Sequence, residues 1–94
     1  MTPFKTIADV RAANKAAGHH FFSRETMQFF NSIVYTTIYG GRYFVTSEKA
    51  DGLDRAFKIR EARADGSIGT LPAIYETLAD AREAARKLAR GGAA

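Results

Sequence analysis

Residues 33–48 read IVYTTIYGGRYFVTSE, two runs rich in β-branched and aromatic residues parted by Gly40-Gly41. Such side chains favour extended backbone because they pack well on a pleated surface. Two adjacent glycines reach the positive φ that a type I′ or II′ turn demands. The stretch is therefore predicted to be a β-hairpin with Gly40-Gly41 as a two-residue loop. That loop sets Tyr39 opposite Arg42, Ile38 opposite Tyr43, Thr37 opposite Phe44 and Thr36 opposite Val45. By alternation, one face carries Val34, Ile38, Tyr43 and Val45, and the other carries Tyr35, Thr37, Tyr39, Arg42 and Phe44. The first set is expected to face the core.

Working outward, KADGLD at residues 49–54 is a loop with turn chemistry at Asp51-Gly52. A third strand is predicted from Arg55 to Arg63, with Phe57 and Ile59 inward and Lys58 and Arg60 outward. Asp65-Gly66 gives a further tight turn. A weaker fourth strand follows from Ser67 to about Leu71, where Pro72 marks an edge or an exit.

The flanks read as helices. Thr6, with Asp9 at the capping-box position, opens a first helix that Gly18 closes. Ile7, Val10, Ala13 or Asn14, and Ala17 form its narrow apolar stripe. Ser23 caps a short second helix from about Arg24 to Asn31. Phe22 and Met27 have hydrophobic-staple spacing there, and Met27 and Phe30, with Phe29 beside them, are expected to anchor it in the core. Thr77, with Asp80 at the capping-box position, opens a final helix whose stripe is Leu78, Ala81, Ala85 and Leu88. Gly91-Gly92 ends it, with residues 91–94 expected as a flexible tail. The order is α-α-β-β-β-β-α: an α+β chain with an antiparallel sheet and helices on one face. One domain spans 1–94, with an ordered core over 5–90.

Composition agrees. Ninety-four residues suffice for one core, and 46% hydrophobic content with seven Phe argues for a packed globule. The core is thin, so a large buried cofactor site would compete with packing, and no cofactor is expected. There is no cysteine, which excludes disulfides and thiolate metal sites. No segment is apolar enough to span a bilayer, and the N-terminus lacks a secretory pattern. A cytoplasmic location is expected. Net charge is +4, concentrated late: residues 55–94 carry eight Lys/Arg against five Asp/Glu, whereas residues 1–54 carry six against five. That excess suits acidic partners.

Candidate chemistry is sparse. His19-His20 is an adjacent pair that chelates one ion poorly and reads as turn residues, so no metal site is expected. Ser23 is explained as a helix cap, with no orienting third residue or oxyanion glycine motif around it. Gly40-Gly41 lies between strands and lacks the spacing of a phosphate loop. The carboxylates near turns lack calcium-loop spacing. Nothing forms a catalytic set, and the chain is expected not to be an enzyme.

Two surfaces could bind. The second hairpin face, Tyr35, Tyr39, Arg42 and Phe44 with strand-three Lys58 and Arg60, joins aromatics to cations. Such a sheet face can stack bases while holding phosphates, or serve as a protein hot spot. A covering helix or a dimer mate is the plainer alternative. The last helix repeats Arg82, Arg86 and Arg90 on one stripe, a secondary basic patch that also reads as a solvated face.

The segment HHFFSRETMQFFNSIVYTTIYGGRYFVTSE, residues 19–48, carries FFS-x-x-TM-x-FF-x-S followed by YGG-x-YFVTSE. In this it resembles a family of small uncharacterised accessory proteins of phages, plasmids and other mobile elements, and the likeness extends loosely over most of the chain. The resemblance implies non-enzymatic binding. By context alone it implies an inhibitor of a host nucleic-acid-processing defence complex, anti-CRISPR-like, in the host cytoplasm. Partners to be expected are therefore an acidic or nucleic-acid-binding host protein complex, nucleic acid itself, or a second copy in a homodimer.

Overall fold

The structure is a computed structural model that describes residues 4–49 and 54–91. The Asp51-Gly52 turn and the tail past residue 91 lie outside the described residues. Seven elements follow in the predicted order: α1 (Ile7–Ala16), α2 (Arg24–Phe29), β1 (Ile33–Val34), β2 (Tyr43–Glu48), β3 (Ala56–Ala62), β4 (Ile68–Tyr75) and α3 (Leu78–Ala89). The strands make one antiparallel sheet in the order β1-β2-β3-β4. It is a small α+β domain.

The caps fall where the residues place them. Thr6 and Asp9 form a reciprocal capping box, and the Ser23 and Thr77 hydroxyls accept from the N–H groups of Thr26 and Asp80. Each satisfies an amide that helix geometry leaves without a partner.

The hairpin closes differently from its expected register. Gly40 and Gly41 both have positive φ, 62° and 70°, as the turn requires. The closing pair, however, is Tyr39 with Tyr43. The Tyr39 N–H donates to the Tyr43 carbonyl at 2.8 Å, and the Tyr43 N–H donates back at 3.0 Å. Arg42 thus joins the glycines in the loop. Its carbonyl is claimed by the Ala62 N–H at 2.7 Å, while the Gly41 carbonyl accepts from Phe4 at 2.9 Å. Those bonds draw the loop toward β3 and toward the N-terminal segment. Beyond Tyr39 the first arm shifts again, so Val34 pairs with Thr46 and the regular ladder of β1 is only Ile33–Val34.

A one-residue slip exchanges faces. Phe44 therefore joins Val34 and Ile38, and Tyr43 and Val45 join Tyr35 and Tyr39. Both faces are covered, since the helices divide between them. On one face Ile7 and Val10 of α1, with Phe21 and Phe22, pack on Phe44 and Ala62. On the other, Ala81 and Ala85 of α3 pack on Val45 and Ile59. The alanines let α3 lie close to the sheet, and Tyr35, Tyr39, Tyr43, Phe57 and Tyr75 fill its margins.

Two other expectations change. Helix α2 buries none of its residues, and Phe29 and Phe30 are exposed. The core anchors near it are Phe21 and Phe22 in the preceding turn, whose rings meet edge to face at 4.8 Å. Strand β4 runs past Pro72 to Tyr75, pairing with β3 through a register shift between Lys58 and Arg60. An irregular, outermost strand tolerates proline because no ladder bond needs its missing N–H.

Candidate functional site

The slip disperses the aromatic-basic face read from the sequence. Tyr35 and Tyr39 are half-buried beside α3, and the Tyr35 hydroxyl lies 3.3 Å from the Ser47 hydroxyl. Phe44 is fully buried on the opposite face. Arg42 stays exposed in the turn, its Nε 3.3 Å from a Glu61 carboxylate oxygen. Lys58 and Arg60 are brought together, but on the α1 side of the sheet. Of the secondary patch, Arg82 is half-buried, whereas Arg86 and Arg90 are exposed.

What does assemble is a cleft of about 350 Å³ between the sheet and the α2 region. Its polar floor is Thr46 and Glu48 of β2, Lys58 and Arg60 of β3, and Thr70 of β4. Its apolar wall is Phe21, Met27, Phe30 and Ile68. Strand alternation builds the floor. Thr46 with Lys58 and Phe44 with Arg60 are cross-strand partners, so their side chains share one face.

Arg60 organises this floor. Only 8% of it is exposed. Its Nε donates to the Thr46 hydroxyl at 2.8 Å, its Nη1 to the Thr70 hydroxyl and its Nη2 to Glu48. The guanidinium carbon sits 5.3 Å from the centre of the Phe21 ring, a cation–π arrangement. Burial pushes the Arg60 guanidinium below its ordinary pKa, while the charge and hydrogen bond of Glu48 pull it back up. Glu48 divides its oxygens, Oε1 facing Arg60 and Oε2 lying 3.3 Å from the Lys58 ammonium. One carboxylate thus serves two cations.

At the mouth of the cleft an aromatic corner faces solvent. Phe29 is 82% exposed and Phe30 46%, their rings 4.8 Å apart edge to face, with Ile33 exposed just beyond. The backbone beneath them is fastened. Asn31 turns through φ 49°, its carbonyl accepts from Arg55 at 3.1 Å, and the Phe30 carbonyl accepts from the Lys49 N–H at 3.3 Å. The sequence showed the diphenylalanine but assigned it inward. The helix spans six residues with Phe30 as its C-cap, ending before the expected Asn31.

His19 and His20 are both exposed beside Arg11 and Lys15. Among the described residues no group of three metal-ligating side chains forms, and no helix is long and apolar enough to cross a membrane.

Fold and cleft define a small antiparallel-sheet domain, clad on both faces, with a cation-rich cleft opening beside exposed aromatics. The chain belongs to DUF7447, a family of unknown function, which matches residues 6–86. That span runs from the cap of α1 into α3 and so takes in every strand and every residue of the cleft. No curated protein and no solved structure matches the chain.

Proposed function

We propose that this is a non-enzymatic binding protein whose contact surface is the Phe29–Phe30–Ile33 corner together with the mouth of the cationic cleft. The observation that carries this is the exposure of two phenylalanines packed edge to face on fastened backbone. Large apolar rings held in water on an ordered surface mark association sites, and aromatic side chains dominate interface energetics. Lys58 and Arg60 behind the rings favour a protein partner that presents acidic groups. The sequence resemblance to mobile-element accessory proteins supports the finer reading, an inhibitor bound to a host nucleic-acid-processing complex. Affinity capture with wild type and a Phe29→Ser/Phe30→Ser variant tests the surface. Partners kept by the wild type and lost by the variant support it, whereas equal recovery by both overturns it.

A second reading, direct nucleic-acid binding, is favoured by the exposed Arg86 in the last turn of α3 and the exposed Arg90 at its C-cap. It requires binding that weakens steeply with salt, because phosphate contacts release counterions. An anisotropy titration at two salt concentrations separates the readings. A homodimer through the aromatic corner would show as a doubled mass in light scattering that reverts in the serine variant.

A further inference from the structure

We propose that the cleft over Arg60 is a binding site for a small amphiphilic anion, a carboxylate or phosphate monoester carried on an apolar body. The site shares Phe30, Lys58 and Arg60 with the proposed contact surface, but anion binding does not require that surface to hold a protein.

The charge balance of the lining is the first argument. Two cations, Lys58 and Arg60, meet one carboxylate, Glu48, which is the only acidic side chain lining the cleft among the described residues. Both oxygens of Glu48 are engaged, one by each cation. One positive charge remains without its counter-charge in a partly desolvated place, where an incoming anion interacts more strongly than it would in water.

The second argument is the excess of donors. The Thr46 and Thr70 hydroxyls accept from Arg60, which leaves their own protons to donate. The Lys58 ammonium has three N–H groups and directs one at Glu48. Hydroxyl protons and ammonium N–H groups together offer an oxyanion several donors, while the acceptor they would otherwise use is occupied.

The third is preorganisation. Arg60 is fixed by two hydroxyls, one carboxylate and the Phe21 ring, and every polar group of the floor stands on a strand. Sites on rigid elements hold their geometry without reordering on binding. A volume of about 350 Å³ falls in the range of small-molecule sites, which typically combine an apolar wall with a few convergent polar groups. Phe21, Met27, Phe30 and Ile68 supply that wall and explain why the body of the ligand should be apolar.

The test is a ¹⁵N and ¹³C-methyl NMR titration of the full chain with phenyl phosphate and with benzoate, against inorganic phosphate and uncharged benzamide. The expected result is a saturable shift confined to the cleft lining, among it Thr46, Lys58, Arg60, Thr70, Ile68 and the Met27 methyl. The stronger of the first two probes identifies the preferred anion, and inorganic phosphate should bind more weakly for want of the apolar contact. Lys58→Gln should weaken binding by about tenfold, as loss of a charge-assisted contact does, while Phe29→Ser should leave it unchanged. If Lys58→Gln does not fold, Thr70→Val removes one donor at constant shape and should weaken binding several-fold. No saturable shift at about 10 mM of either anion, equal binding of benzamide, or undiminished binding by the folded variants would each overturn the proposal.

Discussion

The Asn14 side-chain amide donates to the Gly66 carbonyl at 2.8 Å, both groups buried, and joins α1 to the β3–β4 turn fifty-two residues later. The approach is close. A Cβ on Gly66 would lie 2.5 Å from the Ala13 carbonyl oxygen, and Gly66 already has φ +88°. Asn14→Ala should leave that carbonyl without a partner and lower stability by about 1–3 kcal/mol. Gly66→Ala should cost at least as much, because strain and backbone contact act together. Urea unfolding of both variants checks this. A loss below about 0.5 kcal/mol for Asn14→Ala, the range of an unremarkable surface change, would refute the tie.

The same position shows what the sequence did and did not reveal. The α1 stripe pointed to Ala13 or Asn14, and helical spacing alone does not choose between a small apolar residue and a polar one that needs a buried acceptor. Gly66 supplies that acceptor, and only the packed structure reveals it. Local signals were otherwise legible: the three N-caps, the Gly40-Gly41 turn, the Ala81–Ala85 stripe and the strand order all follow from neighbouring residues. The hairpin register did not, because the Arg42 carbonyl is claimed by Ala62, twenty residues on. That long-range bond moved the closing pair from Arg42 to Tyr43 and exchanged the faces. The cleft was illegible for the same reason. Lys58 and Arg60 were picked out as cations, but Glu48 and the two threonines meet them only across strands.

Gly40 and Gly18 make a controlled pair. Both have positive φ, +62° and +83°, but a Cβ on Gly40 would lie 2.9 Å from Ala89 Cβ, whereas among the described residues nothing lies within 4 Å of one on Gly18. Gly18→Ala should therefore cost only the left-handed strain, about 1 kcal/mol. Gly40→Ala should cost more, since the last turn of α3 must give way. Thermal unfolding of both, with Ala89→Gly as the partner in a double-mutant cycle, should show coupling between positions 40 and 89 and none between 18 and 89.

Glu48 should matter more than Lys58. Glu48→Ala removes both the counter-charge and the hydrogen bond of the nearly buried Arg60 guanidinium, and a lost hydrogen bond to a charged group costs about 1.5–3 kcal/mol. Lys58→Gln removes a partly solvated cation from a carboxylate that keeps Arg60, so its cost should stay near 0–1 kcal/mol. Equal losses in urea unfolding would show that Arg60 does not depend on Glu48.

Asp65 gives the pH response a definite sign. The Ser67 hydroxyl and backbone N–H both donate to its Oδ1, at 2.6 and 2.9 Å, and hold its carboxyl below the ordinary value of 3.8. A group depressed in the folded state contributes stability that is complete above that ordinary, unfolded value and is lost as pH falls through the folded one. Ser67→Ala removes the hydroxyl bond, so the Asp65 carboxyl should titrate closer to its ordinary value in a carbon-detected NMR titration. An unmoved titration would mean that the backbone bond alone sets it.

Phe29 separates stability from binding. With 82% of its surface in water, its ring contributes little burial, and Phe29→Ser should change the unfolding free energy by no more than about 0.5 kcal/mol. Asn31 at φ 49° and the Arg55 and Lys49 bonds fasten the backbone rather than the ring, so the corner should keep its shape. An unchanged spectrum away from residues 26–33, together with loss of partner recovery, is the expected pair of results. A large stability loss would instead mean that Phe29 has a packing role, and the case for an interface at this corner would lose its physical basis.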